Sequence, residues 1–112
     1  MIRPGNFGFD TDTMADNAFQ NVSSGDKSEK EIHQSALDEF DCVVQLFKRN
    51  GISVIIFNDQ PSPAKPDAIF PNNWFSTHSE GIVIIYPMMA ESRRLEQRMD
   101  IVKYFEDVYK VN

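Results

Sequence analysis

The sequence predicts an α/β fold in which two helices pack on a mixed sheet, and three observations carry that expectation. A capped, apolar-striped helical pattern over residues 29–49 runs directly into a β-branched stretch, Ile52-Ser53-Val54-Ile55-Ile56-Phe57. Two further strand-like runs, 74–77 and 82–86, are separated by His78-Ser79-Glu80-Gly81, which has the length and glycine of a hairpin turn. A second helical pattern follows, with Leu95, Met99, Val102 and Phe105 spaced for one face.

The elements follow in order along the chain. A short first strand precedes residues 5–26, which are rich in Gly, Asn, Asp, Ser and Thr, with Phe7, Phe9, Met14 and Phe19 scattered at neither helical nor strand period. Residues 10–27 therefore read as a loop, either a lid whose aromatic residues cover a site or a frayed terminus. Ser28 with Glu31 forms a capping box for the first helix. Its stripe is Ile32, Ala36, Phe40, Val43 and Phe47, and Asn50-Gly51 is a left-handed stop. The near-continuous apolar character of 52–57 suits a strand buried on both faces. Pro61, Pro63 and Pro66 hold the next segment extended as a surface connection. Ser92 is the expected cap of the second helix, which should reach about Tyr109. That helix has no following strand to cover, so the expected unit is one incomplete domain over residues 1–112.

Composition narrows the function. Seventeen acids against eleven bases give a net charge of −6, which repels polyphosphates and excludes nucleic acid as an expected partner. The N-terminus lacks an apolar signal core, and no run approaches the roughly 20 apolar residues of a membrane span. With the single cysteine, Cys42, this makes a cytoplasmic protein without a membrane partner the expectation.

The least generic stretch is Asp67-Ala68-Ile69-Phe70-Pro71-Asn72-Asn73-Trp74-Phe75-Ser76-Thr77-His78. Asn72 and Asn73 offer donors and acceptors, Asp67 a charge, and Phe70 and Trp74 aromatic walls for a planar guanidinium or ureido group. The plain alternative is an Asx-rich turn with Trp74 in the core. Arg93 and Arg94 open the second helix, where the macrodipole favours acids. They are suited to a ligand carboxylate, or to pairing with Glu91 or Glu96. Cys42 lies within the first helix, off its stripe and without an adjacent base, so no catalytic residue is assigned. His33 reads as a boundary residue and His78 as a turn residue. No spacing of cysteine and histidine suits a metal, and no cofactor is expected.

Taken in order, Arg3-Pro4, Asn17-Ala18-Phe19-Gln20, the Asp67–His78 stretch, and Tyr86-Pro87-Met88 leading to Arg93-Arg94-Leu95-Glu96 resemble the opening of the arginine deiminase-related amidinotransferases and citrulline-utilising hydrolases. These are similar to dimethylarginine dimethylaminohydrolase and share the pentein superfamily. The resemblance covers nearly the whole chain. It implies a partial pentein fold, one or two ββαβ-type modules of an α/β propeller. It implies that Asp67 and Asn72-Asn73 line a substrate pocket, that Arg93 or Arg94 meets the substrate carboxylate, and that the loop carrying Phe19 is a lid. It also implies a nucleophilic cysteine near the C-terminus and a mid-chain histidine, neither of which aligns within these residues. Dimethylarginine dimethylaminohydrolase-like relatives carry acids where Asn72 and Asn73 stand, so a neutral ureido group such as that of citrulline suits this chain better than a guanidinium cation.

Three functions follow as expectations. The first is the N-terminal part of a guanidino- or ureido-group-modifying enzyme, supplying half a pocket and inactive alone. The second is a stand-alone binding or self-association module whose exposed sheet edge pairs with another chain or a second copy. The third, an enzyme completed by oligomerisation, would need Cys42 or a partner's cysteine.

Overall fold

Backbone and cap geometry build the longest helix from local signals. In the computed structural model, which describes residues 1–8, 28–109 and 111, helix α1 (Glu29–Arg49) starts at Ser28. The Ser28 hydroxyl accepts from the Glu31 amide at 3.3 Å, and the Glu31 carboxylate accepts from the Ser28 amide at 2.8 Å. Gly51, at φ +76°, ends the helix in the left-handed region that favours glycine. The buried stripe runs through Phe40 and Val44, with Val43 partly exposed, one position from the expected register.

Strand β1 (Ile2–Arg3) pairs in parallel with β2 (Phe57–Asn58), Ile2 opposite Phe57, so α1 is the crossover that a parallel pair requires. Arg3 binds Asp41 of α1 with both arms, at 3.0 and 2.8 Å, fastening the crossover to the sheet. Behind β1, the backbone of Gly5 lies against that of the segment after β2. A Cβ added to Gly5 would stand 2.5 Å from the Gln60 carbonyl carbon and 2.6 Å from the Asp59 carbonyl oxygen. Backbone atoms yield less readily than side chains, so Gly5→Ala is expected to destabilise the fold by about 1–3 kcal/mol, read as a lower urea midpoint at unchanged slope.

The run 52–57, expected to be a strand buried on both faces, pairs only at Phe57–Asn58, with Ile52 52% and Ile56 36% exposed. Its partner β1 is two residues long, so the ladder ends after two pairs. Pro61, Pro63 and Pro66 do leave the next segment irregular, yet it is not all surface, because Asp59, Lys65, Asp67 and Ala68 are buried.

A single 3₁₀ turn (Pro71–Asn73) then leads into an antiparallel hairpin, β3 (Phe75–Thr77) and β4 (Val83–Ile85), with Phe75 opposite Ile85 and Thr77 opposite Val83. Gly81 takes φ +78° in its turn and donates to the His78 carbonyl. The hydrophobic core joins Ile2, Trp74, Met88, Ile101 and Val102, with Phe57, Phe75, Val83 and Phe105 packed against it. One aromatic thread, Trp74–Phe75–Phe105, links the hairpin to the last helix with centroids 4.4 and 5.8 Å apart.

The second helix is not continuous. It divides into α2 (Glu91–Arg94) and α3 (Met99–Val108), and its cap is Ala90, not Ser92. Leu95 and Met99 are exposed, and the buried stripe is Ile101 and Val102. Contacts distant in sequence compete with the helix here. Gln97 donates to the Tyr86 carbonyl at 2.8 Å, and Arg98, in extended conformation, donates to the Asn58 carbonyl at 2.8 Å.

Arg98 also binds Asp100 at 3.1 and 2.6 Å, and this hydrogen bonding holds the Asp100 carboxyl below its ordinary 3.8. A depressed folded value contributes stability that is complete above the ordinary value and is lost as pH falls through the folded one. Because the Asp100 side chain is 62% exposed, solvent screening keeps that contribution to about 0.5 kcal/mol. Asp100→Asn is therefore expected to flatten slightly the loss of stability below about pH 4, measured by denaturant melts across acid pH.

The small mixed α/β arrangement is compatible with part of a dimethylarginine dimethylaminohydrolase-like fold. Among the described residues no helix is long and apolar enough to cross a membrane. Phe19 and the lid-like loop over 10–27 lie outside the described residues.

Candidate functional site

Proline placement shapes the segment that carries the site. The tight turn 66–69 is closed by the Ala68 amide donating to the Lys65 carbonyl at 3.1 Å and the Phe70 amide donating to the Asp67 carbonyl at 3.0 Å. Pro71 then opens the 3₁₀ turn, its fixed φ suiting the first position, while Phe70 before it is held out of the helical region. Trp74 anchors the far end: it is 0% exposed and sits in the core.

Trp74 thus packs inward and offers no wall to a ligand; its apolar bulk is worth more in the core than at a wet pocket rim. Its indole Nε1 has no hydrogen-bond partner among the described residues. Phe70, by contrast, is exposed and lines a groove of about 570 Å³ with Pro71, Phe7 and the Ile32, Ala36 and Phe40 face of α1. Asn72 and Asn73 are exposed, their side chains 3.5 Å apart.

Asp67 is buried in the turn, and its carboxylate lies 3.7 Å from the Arg93 Nε. Arg93 spends its fork on Glu96, donating from Nε at 3.0 Å and from Nη2 at 3.1 Å. Glu96, just beyond α2, is 2% exposed, so Asp67, Arg93 and Glu96 form one largely buried row of acid, base and acid. Arg94 has different partners. It donates from Nε to the Met88 carbonyl at 3.0 Å and from Nη2 to the Met89 carbonyl at 3.2 Å, which fixes its guanidinium while leaving the side chain 54% exposed. Its Nη1 is 3.6 Å from the carboxylate of Glu91, which is itself almost fully solvated.

The structure therefore brings Asp67 and Arg93 together, keeps Phe70, Asn72 and Asn73 at or beside one exposed turn, and leaves the Arg94 side chain half exposed beside the Met88 and Met89 carbonyls. Two further features belong to this region. Lys65 and Asp59 form a buried pair at 3.3 Å that props the loop carrying Asp67, and nothing in the residue spacing announces it. On the outer hairpin face, the Ser76 hydroxyl bonds the His78 Nε2 at 2.9 Å and the Tyr86 hydroxyl at 2.8 Å. Alternation could have signalled this second cluster, since residues 76 and 78 share a face of the hairpin.

Cys42 is exposed on α1, in a shallow surface hollow with Asp41, Gln45, Leu46 and Arg49 and no histidine. His33 accepts a hydrogen bond at Nδ1 from the Phe7 amide at 3.0 Å, which gives it a structural task. Among the described residues no group of three or more His, Cys, Asp or Glu side chains is arranged to hold a metal ion.

A family model described as N,N dimethylarginine dimethylhydrolase, eukaryotic, matches residues 3–112. No curated protein and no solved structure matches the chain.

Proposed function

Because the chain belongs to the N,N-dimethylarginine dimethylhydrolase family, we propose that it supplies the recognition half of a pocket for a guanidino or ureido amino acid. The observation that carries this reading is the buried Asp67 carboxylate, held in the turn that leads directly into the 3₁₀ turn presenting Asn72 and Asn73. Asp67 accepts the N–H groups of the ligand's planar head. The exposed amides of Asn72 and Asn73 complement a neutral urea, whose oxygen and NH₂ groups need both donors and acceptors. Arg94 takes the amino-acid carboxylate, because its guanidinium is both preorganised by two carbonyls and open to solvent, whereas Arg93 is occupied by Glu96. Phe70 flanks the ligand's methylene chain.

Hydrolysis or amidino transfer would need a nucleophile and a base to form and resolve a covalent intermediate at the ligand's head carbon. Cys42 serves poorly, exposed and without a histidine beside it. The proposal therefore places the nucleophile and base outside these 112 residues. The test is calorimetric titration with L-citrulline and L-arginine. Saturable binding of citrulline, tighter than that of arginine and abolished by Asp67→Ala, is the expected result; no binding of either amino acid by the folded chain would refute the reading. Cys42→Ser is expected to leave the binding unchanged.

One observation favours a second role beside the first. Ile52 and Ile56 lie exposed next to a strand whose pairing ends at two residues, as do Ile82, Ile84 and Ile85 on the hairpin. These edges are proposed to pair with further chain or with a second copy. Sedimentation over a range of concentrations is expected to show reversible association; a concentration-independent monomer would remove the self-pairing version.

A further inference from the structure

We infer that the cleft between the hairpin turn and the C-terminal end of α3 is a second ligand site, and that it takes a quaternary ammonium ion. The inference goes beyond the proposed function, because the cleft shares no residue with the turn carrying Asp67 or with α2.

Shape and lining come first. The cleft, of about 490 Å³, has residues 77–83 of the hairpin on one side and Phe105 and Tyr109 on the other, and its lining surface is mostly apolar. Phe105 and Tyr109 are one helical turn apart. Their ring centroids are 5.8 Å apart and their planes 32° from parallel, so the two rings make one aromatic wall. Phe105 is braced from behind by Phe75 at 5.8 Å and Tyr104 at 6.0 Å, and the Tyr109 amide donates to the Phe105 carbonyl at 2.8 Å. Tyr109 is nevertheless 52% exposed, a large ring held at the cleft rather than in the core.

The charge around this wall is negative. Glu80 lines the cleft from the hairpin turn, and its carboxyl is held below the ordinary 4.5 by its own backbone amide and by the Ser79 hydroxyl, so it stays ionised at neutral pH. Helix α3 ends beside the cleft, and the carbonyls of a last helical turn carry the negative end of the dipole. Glu106 and Asp107 belong to that turn, which has no base among the described residues. His78, the lining group able to become cationic, bonds the Ser76 hydroxyl through Nε2 at 2.9 Å.

Aromatic rings and carboxylates together select a cation, and the apolar lining selects its type. A primary ammonium or a guanidinium must find an acceptor for each N–H before it leaves water. A quaternary ammonium has no N–H, spreads its charge over carbon, and is attracted to the faces of aromatic rings. A zwitterion such as L-citrulline, with a carboxylate beside its ammonium, is repelled by Glu80.

Choline is the probe, and 3,3-dimethyl-1-butanol, of the same shape without the charge, is the control. Amide chemical shifts of the full chain are followed at about pH 8, above the ordinary imidazole value of about 6.5. Choline is expected to give saturable shifts at Glu80, Gly81, Phe105 and Tyr109, and the alcohol to bind at least about tenfold more weakly. Tyr109→Leu spares the core and removes the ring. It should lower choline affinity about three- to tenfold and leave that of the alcohol unchanged, whereas Tyr109→Phe should bind choline as the unmodified chain does. Glu80→Gln should cost about threefold at low salt and little at about 0.5 M salt, where an exposed charge is screened. Equal affinity for the two probes would reduce the cleft to an apolar hollow and overturn the inference. No saturable shift with choline, or full choline affinity in Tyr109→Leu, would overturn it as well.

Discussion

Replacing Lys65 with alanine is expected to destabilise the chain by about 3–5 kcal/mol, a large share of the 5–15 kcal/mol that holds a typical domain together. The Lys65 ammonium, 7% exposed at the residue level, lies 3.3 Å from Asp59 Oδ1 and donates to the Pro63 carbonyl at 3.1 Å and the Gln60 carbonyl at 3.5 Å. Truncation removes the ammonium paired with the buried Asp59, whose Oδ2 already has no hydrogen-bond partner among the described residues. The lost partner, more than the lost attraction, sets the cost. Adding Asp59→Asn to Lys65→Ala should recover part of the stability, since a neutral amide pays far less to stay buried. Urea denaturation of the two single variants and the double one measures this. Equal stability of the Lys65→Ala and unmodified chains would mean that the pair contributes nothing to the loop carrying Asp67.

The second large effect falls on binding. Arg94→Met keeps much of the stem's apolar bulk and removes the charge, and it is expected to lower affinity for L-citrulline by about 10- to 100-fold, the range for losing a charge-assisted pair at a partly open site. A butylurea probe, which has the same head group and no carboxylate, should bind the two proteins equally. That contrast assigns the carboxylate to Arg94. Equal losses for both probes would instead mean that Arg94 acts by supporting the Met88 and Met89 backbone, to which it donates.

The parts of the fold legible in the sequence are those written in a few adjacent residues. The Ser28–Glu31 box, the Gly51 stop and the hairpin through Gly81 each depend on local backbone chemistry, and each stands where the pattern puts it. The expected strand over 52–57 exceeds the observed one because burial on two faces is a property of neighbours, and its described neighbour spans two residues. The expected second helix is longer than either observed helix for a similar reason. Its break at Arg98 is fixed by a hydrogen bond to Asn58, 40 residues away, which no local window contains.

The candidate site divides the same way. Asp67, Asn72, Asn73, Arg93 and Arg94 could be singled out because their residue types sit in an unusual order, and the pairing of Arg93 with Glu96 follows from i,i+3 spacing. The depth of Glu96 and the inward turn of Trp74 could not, because both depend on which elements close over them. The pairing of Lys65 with Asp59 was hidden too, because prolines between them erase any period that would place them on one face.

The central claim is that the turn carrying Asp67, together with Arg94, binds a ureido or guanidino amino acid. Amide chemical-shift mapping during titration of the 12.9 kDa chain with L-citrulline tests it most directly. The account predicts saturable shifts concentrated at Asp67, Phe70, Asn72, Asn73 and the amides around Arg94. Shifts confined to a separate cleft, of about 490 Å³ between the hairpin turn and Phe105 and Tyr109, or no saturable shift at all, would contradict it.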